Sequence, residues 1–321
     1  MITWVQSLIL FAVLWILPLN CLEISTKYDF KTLMGLSNHS INDQVKTFKA
    51  KDYAEIELFA KAYKNKIQLL KNASNEIHIP QVIHFIWLGP KDFPNESIKN
   101  VQSWRDFHPD WVIKFWTDRA DRPLPIPGMV RVLTTEYDFG AMAPFIKLSN
   151  NWGEKSDLMR FALLYNEGGI YADHDAECLH SFASFTETYD LVACFDRPHW
   201  HEGLKSNFAP ANGLLCVAPN HPVLLKTMNE VARVWESVGK KFPGSDYKSV
   251  LRRVVQRTFD SFARSVKPFG LDTSTRDLLL PTSFFYPDKT LESKFWKKLQ
   301  TLGLVYSSHK YARAWNKSDT R

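Results

Sequence analysis

The chain has 321 residues, 45% hydrophobic and 23% charged, with 40 Lys+Arg against 34 Asp+Glu and a formal net charge of +6. Those proportions fit a folded globular protein and exclude a disordered, collagen-like or low-complexity chain. A surplus of six charges is too thin to argue for a nucleic-acid partner, so none is expected, and the length allows one large α/β domain or two smaller ones.

Residues 1–22 carry no charged side chain, and Leu8–Leu17 is continuously apolar. At a rise of about 1.5 Å per residue, some 20 residues just reach across a bilayer core, so this segment is expected to act as a signal peptide or signal-anchor. The protein is then exported or membrane-anchored, secreted or held by a single pass. Beyond Cys21, the cysteines Cys178, Cys194 and Cys216 form no C-x-x-C pair, which points to neither a disulfide framework nor a zinc site. Glycosylation sequons begin at Asn38, Asn72, Asn95 and Asn316, and they matter only in a secretory lumen.

Residues 42–72 read as a helix, since Val45, Phe48, Tyr53, Ile56, Phe59, Tyr63, Ile67 and Leu70 recur mostly at three- and four-residue spacings. We read 23–76 as a helical stem and 77–321 as the catalytic domain. The run Val82–Leu88, closed by Gly89-Pro90, has the texture of a buried strand. A polar helix over about 95–107 and a strand over Trp111–Trp116 follow, and strand, helix, strand at this spacing suggests a βαβ unit and a parallel sheet. Farther on, a helix is expected from Ser156 as its cap, with Leu158, Phe161, Leu164 and Tyr165 on its apolar side and Gly168-Gly169 as its stop. A strand over Ile170–Asp175 comes next, then a strand at Leu214–Val217 and a helix over 222–239. Residues 245–266 form an amphipathic helix whose face carries Lys248, Arg252, Arg253, Arg257 and Arg264, read first as a solvated face and second as a surface for acidic lipid or substrate.

The chemistry concentrates at Asp173-His174-Asp175. Side chains two apart on a strand share a face, so both carboxylates can converge on one point. Held close, they repel unless a cation shares them, and Mg²⁺ or Mn²⁺ takes oxygen ligands of this kind together with substrate phosphates. Strand ends in parallel sheets are also where α/β folds bind ligands. Asp157 and Arg160, three apart near the start of the preceding helix, present a carboxylate and a guanidinium just upstream. His199-Trp200-His201-Glu202 has metal-ligand residue types, but without an i, i+4 pair of histidines it reads as a loop on the acceptor side. Nothing matches a P-loop, a G-x-G-x-x-G turn or a G-x-S-x-G elbow.

Ser156-Asp157-Leu158-Met159-Arg160 followed by Gly168-Gly169-Ile170-Tyr171-Ala172-Asp173-His174-Asp175 resembles the D-x-D segment of glycosyltransferase family 32. That family includes fungal mannosyltransferases and is similar around these motifs to the glucosylating clostridial toxins. Ile79–Gly89 resembles its first strand, Asn212-Gly213-Leu214 with Pro219–Pro222 its later motif, and Ser308-His309 with Ala314-Trp315 its C-terminal one. The resemblance implies an α/β GT-A fold, a mixed, mainly parallel sheet flanked by helices. It also implies a nucleotide-sugar donor, Mn²⁺ or Mg²⁺, and sugar transfer with retention to an unknown acceptor. Carried over, Asp175 is a direct metal ligand, Asp173 bridges metal, ribose and sugar, and His309 completes the metal shell. Asp157 and Arg160 hold donor hydroxyls and phosphate, Trp87 stacks on the base, Asn212 lies beside the transferred sugar, and Trp315 closes over the donor. His174 between the carboxylates and Ala314, where many members carry serine, depart from the family pattern. Two other readings compete: a metal-dependent hydrolase of nucleotide-sugars or phosphate esters, and a membrane-anchored binding protein without turnover.

Overall fold

A computed structural model describes residues 28–36, 48–72, 76–287 and 294–312. The expected signal or anchor segment at 1–22, the sequons at Asn38 and Asn316, and Ala314-Trp315 lie outside the described residues. Within the expected 42–72 helix, α1 runs Ala50–Lys66, residues 42–47 lying outside the described residues, and its last turns tighten into a 3₁₀ segment, Ile67–Asn72. Its apolar face joins the main core: Phe59 meets Phe195 with ring centroids 4.8 Å apart, and Ile56 and Tyr63 are buried beside it.

The unit β1 (Val82–Trp87), α2 (Asn95–Phe107), β2 (Val112–Thr117) is the expected βαβ crossover, with the two strands parallel from Val82 opposite Val112 to Trp87 opposite Thr117. β3 (Val130–Leu133) adds parallel to β2. Helix α3 (Trp152–Glu167) leads into β4 (Gly169–Ala172), and the short β5 (Ala176–Cys178) follows. The strands β6 (Leu191–Phe195) and β7 (Pro210–Val217) precede α4 (Pro222–Lys241) and α5 (Tyr247–Val254). A π-helical turn, Val255–Phe259, joins α5 to α6 (Asp260–Leu271), after which come β8 (Asp277–Leu280) and β9 (Ser307–His309).

Seven strands form one sheet in the order β3-β2-β1-β4-β7-β6-β8. β7 pairs antiparallel with both β4 and β6, while every other pairing in the sheet is parallel. The sheet is thus mixed and mainly parallel, flanked by helices, as the resemblance implied. The strand order reverses between β1 and β4, so the carboxyl ends of these two strands frame a topological switch point, where open α/β sheets take their ligands. The antiparallel β7 brings its first residues to that same edge. Cys178, Cys194 and Cys216 are buried free thiols. Among the described residues, no helix is long and apolar enough to cross a membrane.

Three expectations need correction. Helix α3 begins at Trp152, a turn earlier than its predicted cap Ser156, because the Asn151 side chain caps it by accepting from the Glu154 N–H at 2.9 Å. β4 stops at Ala172, and Asp173 to Ala176 is a tight turn closed by Ala176 N–H to Asp173 O at 2.9 Å. The basic face over 245–266 is spent largely on the protein itself. Arg253 donates to Gly244 O at 2.6 Å, Arg264 pairs with Glu230 at 2.8 Å, and the buried Arg257 donates to Trp235 O at 3.0 Å and pairs with Glu154 at 3.4 Å.

Candidate active site

Gly168-Gly169 ends α3 and starts β4 with no intervening loop. Both glycines have positive φ, +65° and +101°; a Cβ on the first would meet Pro219 at 2.7 Å, and on the second Val82 O at 2.6 Å. Only glycine fits between these backbones, and the close approach lays β4 directly on β1. The buried His84 of β1 locks the junction, with its Nε2 2.9 Å from Gly168 O and its Nδ1 accepting from Trp116 Nε1–H at 3.1 Å. Burial holds this imidazole neutral, with its pKa lowered to about 3.

Asp173 emerges at the end of β4 opposite Gly213 of β7, its N–H donating to Gly213 O at 2.8 Å. Its Oδ1 accepts from Tyr171 OH at 2.7 Å and from Arg160 Nη2 at 3.1 Å, and its Oδ2 lies 3.1 Å from His309 Nε2. Asp175 follows in the turn, its Oδ1 3.3 Å from His309 Nε2 and its Oδ2 accepting from Ala312 N–H at 2.5 Å. The two carboxylates therefore converge through a turn rather than through strand alternation. His309 arrives on β9, which pairs antiparallel with β5 and sets His309 opposite Ala176. Asp173, Asp175 and His309 offer ligand atoms that all lie within 4.8 Å of one another.

Arg160 is the buried hub of the charges. Its Nη2 pairs with Asp157 Oδ1 at 2.6 Å, its Nη1 donates to Asn212 O at 2.5 Å, and its guanidinium lies 4.1 Å over the Tyr171 ring. Asp157 in turn accepts from Thr258 Oγ1 of the π turn at 2.5 Å. Burial alone would raise Asp173; the Arg160 charge and the bonds from His309 and Tyr171 reverse this and hold its carboxyl well below the usual range. Burial keeps Asp157 above its usual range despite Arg160. At His309, burial favours the neutral ring, but the hydrogen bond and charge of Asp173 and the charge of Asp175 raise its pKa.

Trp87 ends β1, partly buried, with its indole N–H donating to Lys91 O at 2.9 Å. Phe93 and His174 meet it edge-on, with centroids at 5.5 and 4.9 Å. His174 is itself tied by Nδ1 to Ser97 Oγ at 2.8 Å, so the departure from the family pattern supports the tryptophan. The structure thus brings Trp87, Asp157, Arg160, Asp173, Asp175, Asn212 and His309 to one edge of the sheet. The His199–Glu202 loop does not join them. His201 stacks on Phe259 at 5.2 Å, burial lowers its pKa to about 3, and the histidines belong to no metal-ligand cluster among the described residues.

Sequence reasoning missed Tyr171, Thr258 and Gly213. Tyr171 was legible as the residue two before Asp173. Gly213 matters for its missing side chain, since a Cβ there would sit 2.7 Å from Asp173 Oδ2 and 3.2 Å from His309 Nε2. Thr258 stands 101 residues from Asp157 with no local signal.

Two carboxylates and an imidazole, kept clear by a glycine, suit a divalent ion that accepts oxygen and nitrogen ligands. Residues 94–192 match the family described as a glycosyltransferase sugar-binding region containing a DXD motif. Among curated proteins, "Subversion of eukaryotic traffic protein A" of Legionella pneumophila is 30% identical over 179 residues, 52% of this chain and 26% of that protein. "Inositol phosphoceramide mannosyltransferase 3" of Schizosaccharomyces pombe is 26% identical over 158 residues, 48% of this chain and 38% of that protein. "Initiation-specific alpha-1,6-mannosyltransferase" of the same yeast is 23% identical over 260 residues, 72% of this chain and 63% of that protein. The chain spans less than two thirds of the length of each of these relatives. Asp157, Arg160, Asp173 and Asp175 all lie inside the matched segment, residues 94–192, so the similarity covers the residues that build the site.

Proposed function

We propose that the protein is a metal-dependent, retaining glycosyltransferase that moves a sugar from a nucleotide-sugar donor to a protein, lipid or glycan acceptor. The observation that carries this reading is the convergence of Asp173, Asp175 and His309 within 4.8 Å at the switch point, with Arg160 beside them. Asp173, Asp175 and His309 would hold Mn²⁺ or Mg²⁺, which when bound offsets the charge that develops on a departing diphosphate. Arg160, already neutralised by Asp157 and Asp173, fixes both carboxylates in place. Asp157 and Asn212 face the sugar, and Trp87 offers a ring to the base. Retention rests on the family resemblance alone. The likeness of the Trp87 strand to the toxin strand supports a uridine nucleotide, and relatives named as mannosyltransferases support a hexose of the mannose type. Residues 1–22 supply export or anchoring, which fractionation of the full-length protein tests.

The deciding experiment incubates the full chain and Mn²⁺ with UDP- and GDP-sugars, following sugar transferred to acceptors and sugar released to water. Asp175→Asn should lower turnover by at least roughly a hundredfold with an unchanged near-ultraviolet circular dichroism spectrum, because it removes a charge that holds the ion. His309→Ala should chiefly raise the metal concentration required. Undiminished turnover in excess chelator would rule out the mechanism, and metal-dependent release of free sugar with no acceptor ever modified would favour the hydrolase.

A further inference from the structure

Around Asp173, three buried side-chain atoms have no hydrogen-bond partner among the described residues: Arg160 Nε, Asn212 Nδ2 and Tyr286 OH. All three carry hydrogens to donate. Arg160 and Asn212 were expected at the donor site; Tyr286 was not. It lies 2% exposed just beyond the 3₁₀ turn Thr282–Phe284 that follows β8, with its N–H bonded to Thr282 O at 2.9 Å. Its ring packs against His309 at 5.5 Å and Tyr311 at 6.3 Å. The hydroxyl lies within electrostatic reach of Asp173, Asp196 and Arg160, and burial raises its pKa so that it stays a neutral O–H.

A phenyl ring would pack here at lower cost, as the buried Phe284 and Phe285 alongside show. Leaving an O–H dry and unpartnered is unfavourable, so such a group in a native interior calls for an explanation. The acceptors nearby are engaged: Asp173 by Tyr171, Arg160 and His309, and Asp196 by Tyr311 OH at 2.7 Å. No described residue accepts from the Tyr286 hydroxyl, so a guest with a lone pair can satisfy it. The guest must also tolerate the Asp173 carboxylate. An alcohol does both, because its oxygen accepts while its own proton is free to donate.

We propose that Tyr286 is a specificity-determining residue of the donor site, its hydroxyl donating to a hydroxyl oxygen of the sugar being transferred. This rests on the glycosyltransferase reading above and adds a residue to it. A site built to hydrogen-bond a substrate hydroxyl discriminates strongly against the analogue that lacks it. The test compares the full chain with Tyr286→Phe in Mn²⁺, using calorimetry with UDP-glucose, GDP-mannose, UDP and GDP, together with thermal melting. The variant without ligand should melt at the same temperature as the parent or higher. Its affinity for the nucleotide-sugar that the parent binds should fall about tenfold, or roughly 1.4 kcal/mol, and its affinity for the matching diphosphate should not change. Donors lacking single sugar hydroxyls identify the contact: one of them should bind parent and variant alike. Equal binding of the intact donor by parent and variant overturns the role of Tyr286 and leaves the function standing. Equal weakening of diphosphate and nucleotide-sugar assigns the contact to phosphate and overturns the sugar contact. If the parent binds none of the UDP- and GDP-sugars of the screen above, the functional reading fails and this inference with it.

Discussion

Asp260 opens α6 with a solvent exposure of 0%, and neither carboxylate oxygen has a partner among the described residues. Gly203 of the loop between β6 and β7 lies against it; a Cβ there would come within 1.8 Å of Oδ2. Burial pushes its pKa up to about 6, with Arg264, Lys241 and Lys267 opposing and Glu202 assisting. The folded protein therefore binds this proton more tightly than the unfolded chain, whose aspartates titrate near 3.9. Stability from that protonation is complete below about pH 3.9 and is lost as pH rises through 6, a difference on the order of 3 kcal/mol. Asp260→Asn removes the titration. Its stability relative to the parent should improve from pH 4 to pH 8 by up to about that amount, read as the difference in urea midpoints. A pH-independent difference would show that the carboxylate finds a partner in solution. The variant's unpaired amide shifts the whole curve but not its slope.

Helix α3 shows what was and was not legible at the level of an element. Its apolar stripe and its Gly168-Gly169 stop stand plainly in the sequence, but Ser156 and Asn151 are both capping residue types, and only packing chooses between them. Glu154 decides, because its N–H bonds Asn151 while its carboxylate takes Ser149 Oγ at 2.7 Å and the buried Arg257. Asp157 and Arg160 thus sit in the second and third turns, where Thr258, rather than the helix end, fixes Asp157. Asn151→Ala should cost about 0.5–2 kcal/mol, whereas Ser156→Ala, which gives up only a 3.5 Å contact with Tyr171 OH, should leave the urea midpoint almost unmoved. The reverse order would restore the cap at Ser156. β1, α2 and β2 were legible because long apolar runs and polar helix faces follow local periods. β3, β6 and β8 went unread, being four or five residues long with no turn signal strong enough to frame them. The end of β4 was misread because Asp173-His174-Asp175 continues the texture of a strand while the backbone already turns.

At the scale of the whole molecule, the site is closed by a tail that sequence spacing alone could not place. β9 pairs antiparallel with β5 from far along the chain, setting His309 opposite Ala176 and Ser307 opposite Cys178. Beyond it, Lys310 N–H bonds Asp175 O at 3.0 Å, and Tyr311 OH reaches Asp196 at the end of β6. The tail thus contributes one member of the candidate metal cluster and braces another, so an ion bound by all three residues is bound only when the tail is docked. A ligand that binds the docked state alone stabilises it by RT ln(1 + [L]/Kd), about 2.7 kcal/mol at a hundred times Kd, and lowers the undocked population about a hundredfold. When docking is fast relative to cleavage, proteolysis follows that population. Trypsin should therefore cut the full chain after Lys310 about a hundred times more slowly when Mn²⁺ and a nucleoside diphosphate are both saturating to that degree. In His309→Ala the protection by Mn²⁺ should shrink sharply, because the tail no longer shares the ion. Identical cleavage rates with and without these ligands, in a protein that calorimetry shows to bind them, would mean that the carboxylates hold the ion without the tail.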